Sequence, residues 1–232
     1  MTNLEAKKAI KQKLYTNRFY LLFITLVLNF FVPPLNMFPL INVVFKLFTV
    51  TIMLLSGANF IQEDKKKLRN LWFIFGFINI GFALLFNLFP GNVLIENTQY
   101  ILLFLFFVVI TVNLLQQIFS IHEVTTDVIV GSFCGYLLLG VISFFIFALI
   151  EISVPHSLSG LSSDFNEKNA QLFYFAFTCL TTLGFGDILP LNAVSQKLSV
   201  FTAASGQFYI AVVVAILISR FMQWTAKAKN NN

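Results

Sequence analysis

Charge is scarce in this sequence. Only 11% of its 232 residues are Asp, Glu, Lys or Arg, where soluble domains carry about 25%. Hydrophobic residues make up 58%, thirty residues are Phe, and the mean hydropathy is +0.83. Such a chain is neither intrinsically disordered nor a free nucleic-acid binder. Cysteine is scarce too. Cys134 and Cys179 are too few for a disulfide framework or a metal cluster and read as buried free thiols. A cleavable leader is not expected, because the basic N-terminus runs into a long apolar segment without a small-residue cleavage site. The apolar segments hold no Ser-His, HExxH or paired-Asp arrangement, so an enzyme is not expected. What this composition describes is a polytopic membrane protein.

A bilayer core needs about 20 apolar helical residues. Six runs approach or meet that length: residues 19–32, 40–62, 71–89, 100–119, 128–152 and 197–222. Pro33-Pro34 ends the first and Pro90-Gly91 the third. A shorter apolar run, 170–181, lies between the last two and is too short to span. It is expected to be a re-entrant helix. The fold expected is therefore an all-α membrane protein of six transmembrane helices plus a re-entrant helix and loop.

Orientation follows from Lys and Arg. They cluster in the N-terminal arm (Lys7, Lys8, Lys11, Lys13, Arg18), in the second loop (Lys65, Lys66, Lys67, Arg69) and at the C-terminal end (Arg220, Lys227, Lys229). Six spans put all three clusters on one side, so both termini are expected in the cytoplasm. The opposite loops hold Lys168 and Lys197, and Lys46 is placed near the outer end of its segment, snorkelling to the interface. The division expected is a basic arm (1–18), a four-helix module (19–119), a cytoplasmic linker (120–127), a pore module (128–222) and a short cytoplasmic tail (223–232). With so short a tail, a cytoplasmic ligand-sensing domain is not expected. The basic face invites contact with anionic lipid. His122, Glu123 and His156 read as solvated loop residues.

The re-entrant run ends in Thr181-Thr182-Leu183-Gly184-Phe185-Gly186-Asp187, then Ile188-Leu189-Pro190. Non-helical backbone at membrane depth is tolerated where it lines a water- or ion-filled path. Glycines at alternate positions, Gly184 and Gly186, permit φ values that other residues avoid. Consecutive carbonyls can then all point the same way. Thr182 adds a hydroxyl oxygen at the inner end. Oxygen ligands of this kind replace the hydration shell of an alkali cation. The short helix before them directs its negative end at the same place, and Asp187 adds charge at the mouth.

These residues resemble the potassium channels, whose filter signature is T-x-G-[YF]-G, often followed by Asp. The resemblance covers residues 128–222: helix, pore helix, filter, helix. It implies that Thr182, Leu183, Gly184 and Phe185 supply ion-coordinating carbonyls, with the Thr182 hydroxyl closing the innermost site. Gly186 and Asp187 then form the outer lip. It also implies filter support from Tyr174, Phe175, Thr178 and Thr181, and a hinge at Gly206, nineteen residues beyond Asp187. Counting on, Gln207, Ile210, Val214 and Ile218 share one face and are expected to line a cavity or a dewetting gate. Gly131, Gly135 and Gly140 read as close-packing sites. Two departures bear on filter rigidity: Phe185 replaces the commoner Tyr, and Thr178 stands where some relatives keep a buried Glu. One loop supplies one wall of a carbonyl cage, so four copies are expected.

A four-helix module ahead of a pore suggests a voltage sensor, which needs Arg or Lys at three-residue spacing in the fourth helix. The 100–119 segment carries no charge; its polar residues include Asn113, Gln116 and Gln117. The function expected is a passive, voltage-insensitive K⁺ channel with no cofactor beyond the permeant ion and no nucleic-acid partner. Alternatives are a non-selective cation channel and a potassium-uptake transporter subunit. The first usually shows a broken filter; the second resembles four fused repeats with weakened filters. The Phe-, Ile-, Asn- and Lys-rich composition points to a prokaryotic plasma membrane.

Overall fold

The computed structural model describes residues 17–31, 66–89, 92–120 and 126–230, with the helical positions Thr51, Leu54 and Gly57. The basic arm before residue 17, most of the 40–62 segment with Lys46, and His122 and Glu123 lie outside the described residues. The elements run α1 (Arg18–Phe31), α2 (Lys66–Leu88), α3 (Val93–Ser120), α4 (Thr126–Ser153), β1 (Leu158–Ser159), α5 (Phe165–Leu180), β2 (Leu189–Pro190) and α6 (Ala193–Tyr209). A π-helical turn (Ile210–Val214) then joins α6 to α7 (Ala215–Asn230).

Among the described residues, four helical stretches are long and apolar enough to cross a membrane: Arg69–Phe86, Val93–Ser120, Thr126–Ser153 and Ala193–Met222. The first apolar segment forms α1, whose 14 residues fall short of the about 20 that a bilayer needs. Several boundaries differ from the expectation: α3 begins at Val93 rather than 100, and α5 covers Phe165–Leu180 rather than 170–181. The last span starts at Ala193 rather than 197, because Asn192 and Ser195 form a reciprocal capping box that satisfies the first turn's free N–H groups. The polar tail continues α7 as far as Asn230, where a tail was expected from residue 223.

α4 is the centre of the bundle: α1, α3, α5 and α6 all pack on it. Its sequence explains why. Three glycines leave hollows in its surface, and each receives an aromatic ring from a different element. Phe19 of α1 lies on Gly131, Tyr209 of α6 on Gly135 and Phe177 of α5 on Gly140. A methyl at these positions would stand 2.6, 2.3 and 2.2 Å from the nearest ring or hydroxyl atom. Small residues that admit close approach drive helix association where lipid leaves little hydrophobic contrast. Cys134 and Leu138 between the hollows, and Phe147 beyond them, are wholly buried. Further aromatic contacts extend outward. Phe30 of α1 meets Phe173 and Phe177 edge-on at 4.9 and 4.7 Å, and Trp72 of α2 stacks on Phe106 of α3 at 4.8 Å.

Overfilling a packed core costs about 1–3 kcal/mol. Gly140→Ala is therefore expected to lower the melting temperature in detergent. Gly81→Ala, where an added methyl meets nothing within 4 Å, is expected to stay within about 0.5 kcal/mol of the parent. Equal melting curves for the two variants would contradict this account of α4.

Candidate ion-conducting site

The site is built on α5, a helix too short to span. Asp164 starts it: its carboxylate accepts the N–H groups of Asn166 and Glu167, both at 3.0 Å, and a negative charge suits a helix N-terminus. The helix then carries its other end, with its partial negative charge, to Thr181. Leu172, Phe175, Ala176, Thr178 and Leu180 are buried. Side chains hold its outer end in place. The Tyr100 hydroxyl of α3 donates to Asn169 Oδ1 at 2.6 Å, and Gln171 Oε1 accepts the Ser162 N–H at 2.6 Å.

Beyond Leu180 the chain leaves the helix without losing contact with it. The N–H groups of Thr181 and Thr182 donate to the carbonyls of Phe177 and Cys179, at 2.9 and 3.0 Å. The next two, of Leu183 and Gly184, both reach the Thr178 carbonyl, at 2.9 and 3.4 Å. The backbone then alternates. Thr182, Gly184 and Gly186 have φ of +61°, +52° and +82°, while Leu183 and Phe185 between them do not enter the positive region. In an ordinary strand successive peptide planes point to opposite sides. Alternating left- and right-handed residues turn the planes so that carbonyls can share one side. Glycine takes positive φ without penalty. Thr182, β-branched, does so at about 1–2 kcal/mol, so it is held there by its surroundings.

The support residues act in different ways. Tyr174 lays its ring parallel to Phe185, with centroids 6.3 Å apart and planes 1° apart. The ring of Phe185 thus has a partner although the hydroxyl of a Tyr is missing. Phe175 turns the other way, edge-on to Phe147 of α4 at 4.9 Å. Thr178 is buried, and its hydroxyl turns back to the Phe175 carbonyl at 2.9 Å, so its carbonyl is the part that holds the loop. The Thr181 hydroxyl also folds back, onto Phe177 O at 2.7 Å.

The outer side of the loop is anchored by residues whose role the sequence did not reveal. Glu151, at the end of α4, is 4% exposed and accepts from the His156 N–H, the Ser157 hydroxyl and the Leu158 N–H, at 3.0, 2.6 and 3.2 Å. Lys168 of α5 pairs with it at 3.5 Å. The Ser157 carbonyl receives the Leu191 N–H and the Ser195 hydroxyl, each at 2.9 Å. β1 pairs with β2 in antiparallel register, Leu158 with Pro190 and Ser159 with Leu189. Gly160 passes so close to the Asp187 carbonyl that a methyl would stand 2.5 Å from it. A signal for Glu151 was present: it is a lone acid at the end of an uncharged apolar run, a position that asks for a partner.

On α6, Gly206 is buried, and a methyl there would stand 2.1 Å from the Leu180 carbonyl oxygen. Its glycine therefore admits a backbone-to-backbone approach, while the irregular turn of the helix lies beyond it, at Ile210–Val214. Gln207, Ile210, Val214 and Ile218 are exposed in the single chain, whereas Tyr209, Val213 and Leu217 are buried against the bundle. Gln207 Nε2 reaches Thr182 Oγ1 at 3.4 Å.

Lys168, the partner of buried Glu151, is one-third exposed, so losing this pair costs less than the ~3–5 kcal/mol of a fully buried one. Glu151→Ala also strips three donors of their acceptor, so its melting temperature is expected to fall well below that of Glu167→Ala, whose carboxylate is exposed. Identical thermal stabilities would contradict the anchoring role. Residues 133–223 match a family model described as "Ion channel"; no curated protein and no solved structure matches the chain. The matched stretch begins inside α4 and ends in α7, so it encloses α5, the alternating loop and α6, and it supports an ion-channel family for this membrane chain.

Proposed function

We propose that the protein is the subunit of a passive, potassium-selective channel. The observation that carries this reading is the alternating backbone of Thr182, Gly184 and Gly186 at the negative end of α5. Carbonyls of Thr182, Leu183, Gly184 and Phe185, with the Thr182 hydroxyl, replace the hydration shell of K⁺. Gly186 and Asp187 form the outer lip, where acidic Asp187 concentrates cations. One loop gives one wall, so the filter is assembled from four identical chains around a closed axis. The exposure of the whole loop, residues 181–187, and of the Gln207, Ile210, Val214 and Ile218 face in a single chain supports that arrangement. In the tetramer this face lines the inner cavity, and its apolar part is a dewetting constriction. The π-helical turn at Ile210–Val214 gives the inner helix a place to change its path.

The channel sits in the plasma membrane of a prokaryote, with both termini in the cytoplasm and the basic face toward anionic lipid. Voltage does little to it. Moving one elementary charge through 100 mV is worth about 2.3 kcal/mol, and α3 offers no Arg or Lys to move.

Reconstituted protein is expected to pass K⁺ and Rb⁺ well above Na⁺; bi-ionic reversal potentials measure this, and a Na⁺/K⁺ permeability ratio near one would refute it. Native mass spectrometry in mild detergent is expected to give a tetramer, and a conducting dimer would contradict the closed ring. Conductance is expected to vary little between voltage steps; an activation curve worth several charges would refute the reading of α3.

A further inference from the structure

Three observations converge just below the loop. Thr182 is held in the left-handed region at φ +61°, a conformation that β-branched residues avoid. Gly206 lets the backbone of α6 approach the Leu180 carbonyl more closely than a side chain permits. The next residue, Gln207, points its amide nitrogen at the Thr182 hydroxyl, at 3.4 Å. The close approach at Gly206 is what brings Gln207 within reach.

The geometry points to Gln207 as a positioning residue for the innermost cation site, acting through the Thr182 hydroxyl. This rests on the channel reading given above. A threonine hydroxyl has one proton and two lone pairs. The Gln207 N–H occupies one lone pair. The second keeps a set direction and is the one offered to a cation. Without the donor, the hydroxyl turns between rotamers and the cation loses a prepositioned ligand. The contact also makes the inner helix a direct neighbour of an ion-binding oxygen. A change of path at the π-helical turn, which starts three residues later at Ile210, is therefore felt at the innermost site. Outer-shell partners of this type commonly govern how well a ligand holds its ion.

The test uses Ba²⁺ as probe. It is close to K⁺ in size, and its double charge makes each oxygen ligand count more. Calorimetric titration of the full chain in detergent reads binding whether or not a variant conducts. Gln207→Met keeps the length and removes the donor. Gln207→Asn is one methylene too short to reach. Each is expected to weaken Ba²⁺ binding about threefold to tenfold, the worth of one neutral hydrogen bond. In a Thr182→Cys background, where sulfur is a poor acceptor, Gln207→Met is expected to add nothing. A smaller change in both Gln207 variants, or an equal loss in the Thr182→Cys background, overturns the inference. A parent chain that passes K⁺ selectively while its Gln207 variants bind Ba²⁺ normally sinks this inference alone. A parent chain that neither binds Ba²⁺ nor passes K⁺ sinks the channel reading with it.

Discussion

The hydrogen bonds from Leu183 and Gly184 to the single carbonyl of Thr178 set the terms for the rest of the structure. A loop of alternating left- and right-handed residues closes neither a helix nor a strand ladder of its own. Its support must come from behind, through N–H groups and side chains. α5 brings the Thr178 carbonyl to the right place, and the Tyr174 ring lies flat along Phe185. The outer lip is held by β1, by the Gly160 approach and by the buried Glu151 carboxylate. Most of these contacts join segments more than five residues apart, so the loop is shaped by what surrounds it.

That arrangement needs a rigid wall on which α5 can lean, and α4 supplies it. Gly140 receives Phe177, whose carbonyl accepts the Thr181 N–H, Gly135 receives Tyr209 of α6, and Gly131 receives Phe19. The Tyr209 hydroxyl also donates to the Ser132 carbonyl at 2.6 Å in a buried setting, where an unpaired phenol would be costly. α5 and α6 are thus both referenced to α4, at glycines five residues apart.

α3 is joined to the elements that follow α4 at both of its ends. At the outer end, Tyr100 bonds Asn169. At the other, two guanidinium groups reach the C-terminal turn of α3. Arg220 of α7 donates to the Phe119 carbonyl at 3.1 Å, and Arg18 of α1 donates to Gln117 Oε1 at 2.7 Å. Cations are favoured where a helix presents unpaired carbonyls. α7 is therefore tied to α3, a helix without Arg or Lys.

Much of this was legible in the chain itself. Apolar run lengths located the long helices at α2, α3, α4 and α6, because a bilayer demands a length that composition displays. The Thr-Leu-Gly-Phe-Gly-Asp run marked the loop, because only glycine at alternate positions makes that backbone cheap. Helix ends were less visible: Asn192 and Ser195 start α6 earlier than hydropathy suggests, since capping is a matter of hydrogen bonds rather than apolarity. The division of labour between Tyr174 and Phe175, neighbours of similar chemistry, was decided by the turn of α5, which sends one ring to Phe185 and the other to Phe147. The distance of Gly206 from Asp187 is visible in the chain, whereas the Leu180 carbonyl packed against it and the irregular turn at Ile210–Val214 come from the tertiary structure. Glu151 became an anchor only when folding brought Ser157 and Lys168 to it. Local chemistry and bilayer thickness are written along the chain, whereas contacts between distant residues depend on which helix faces come together.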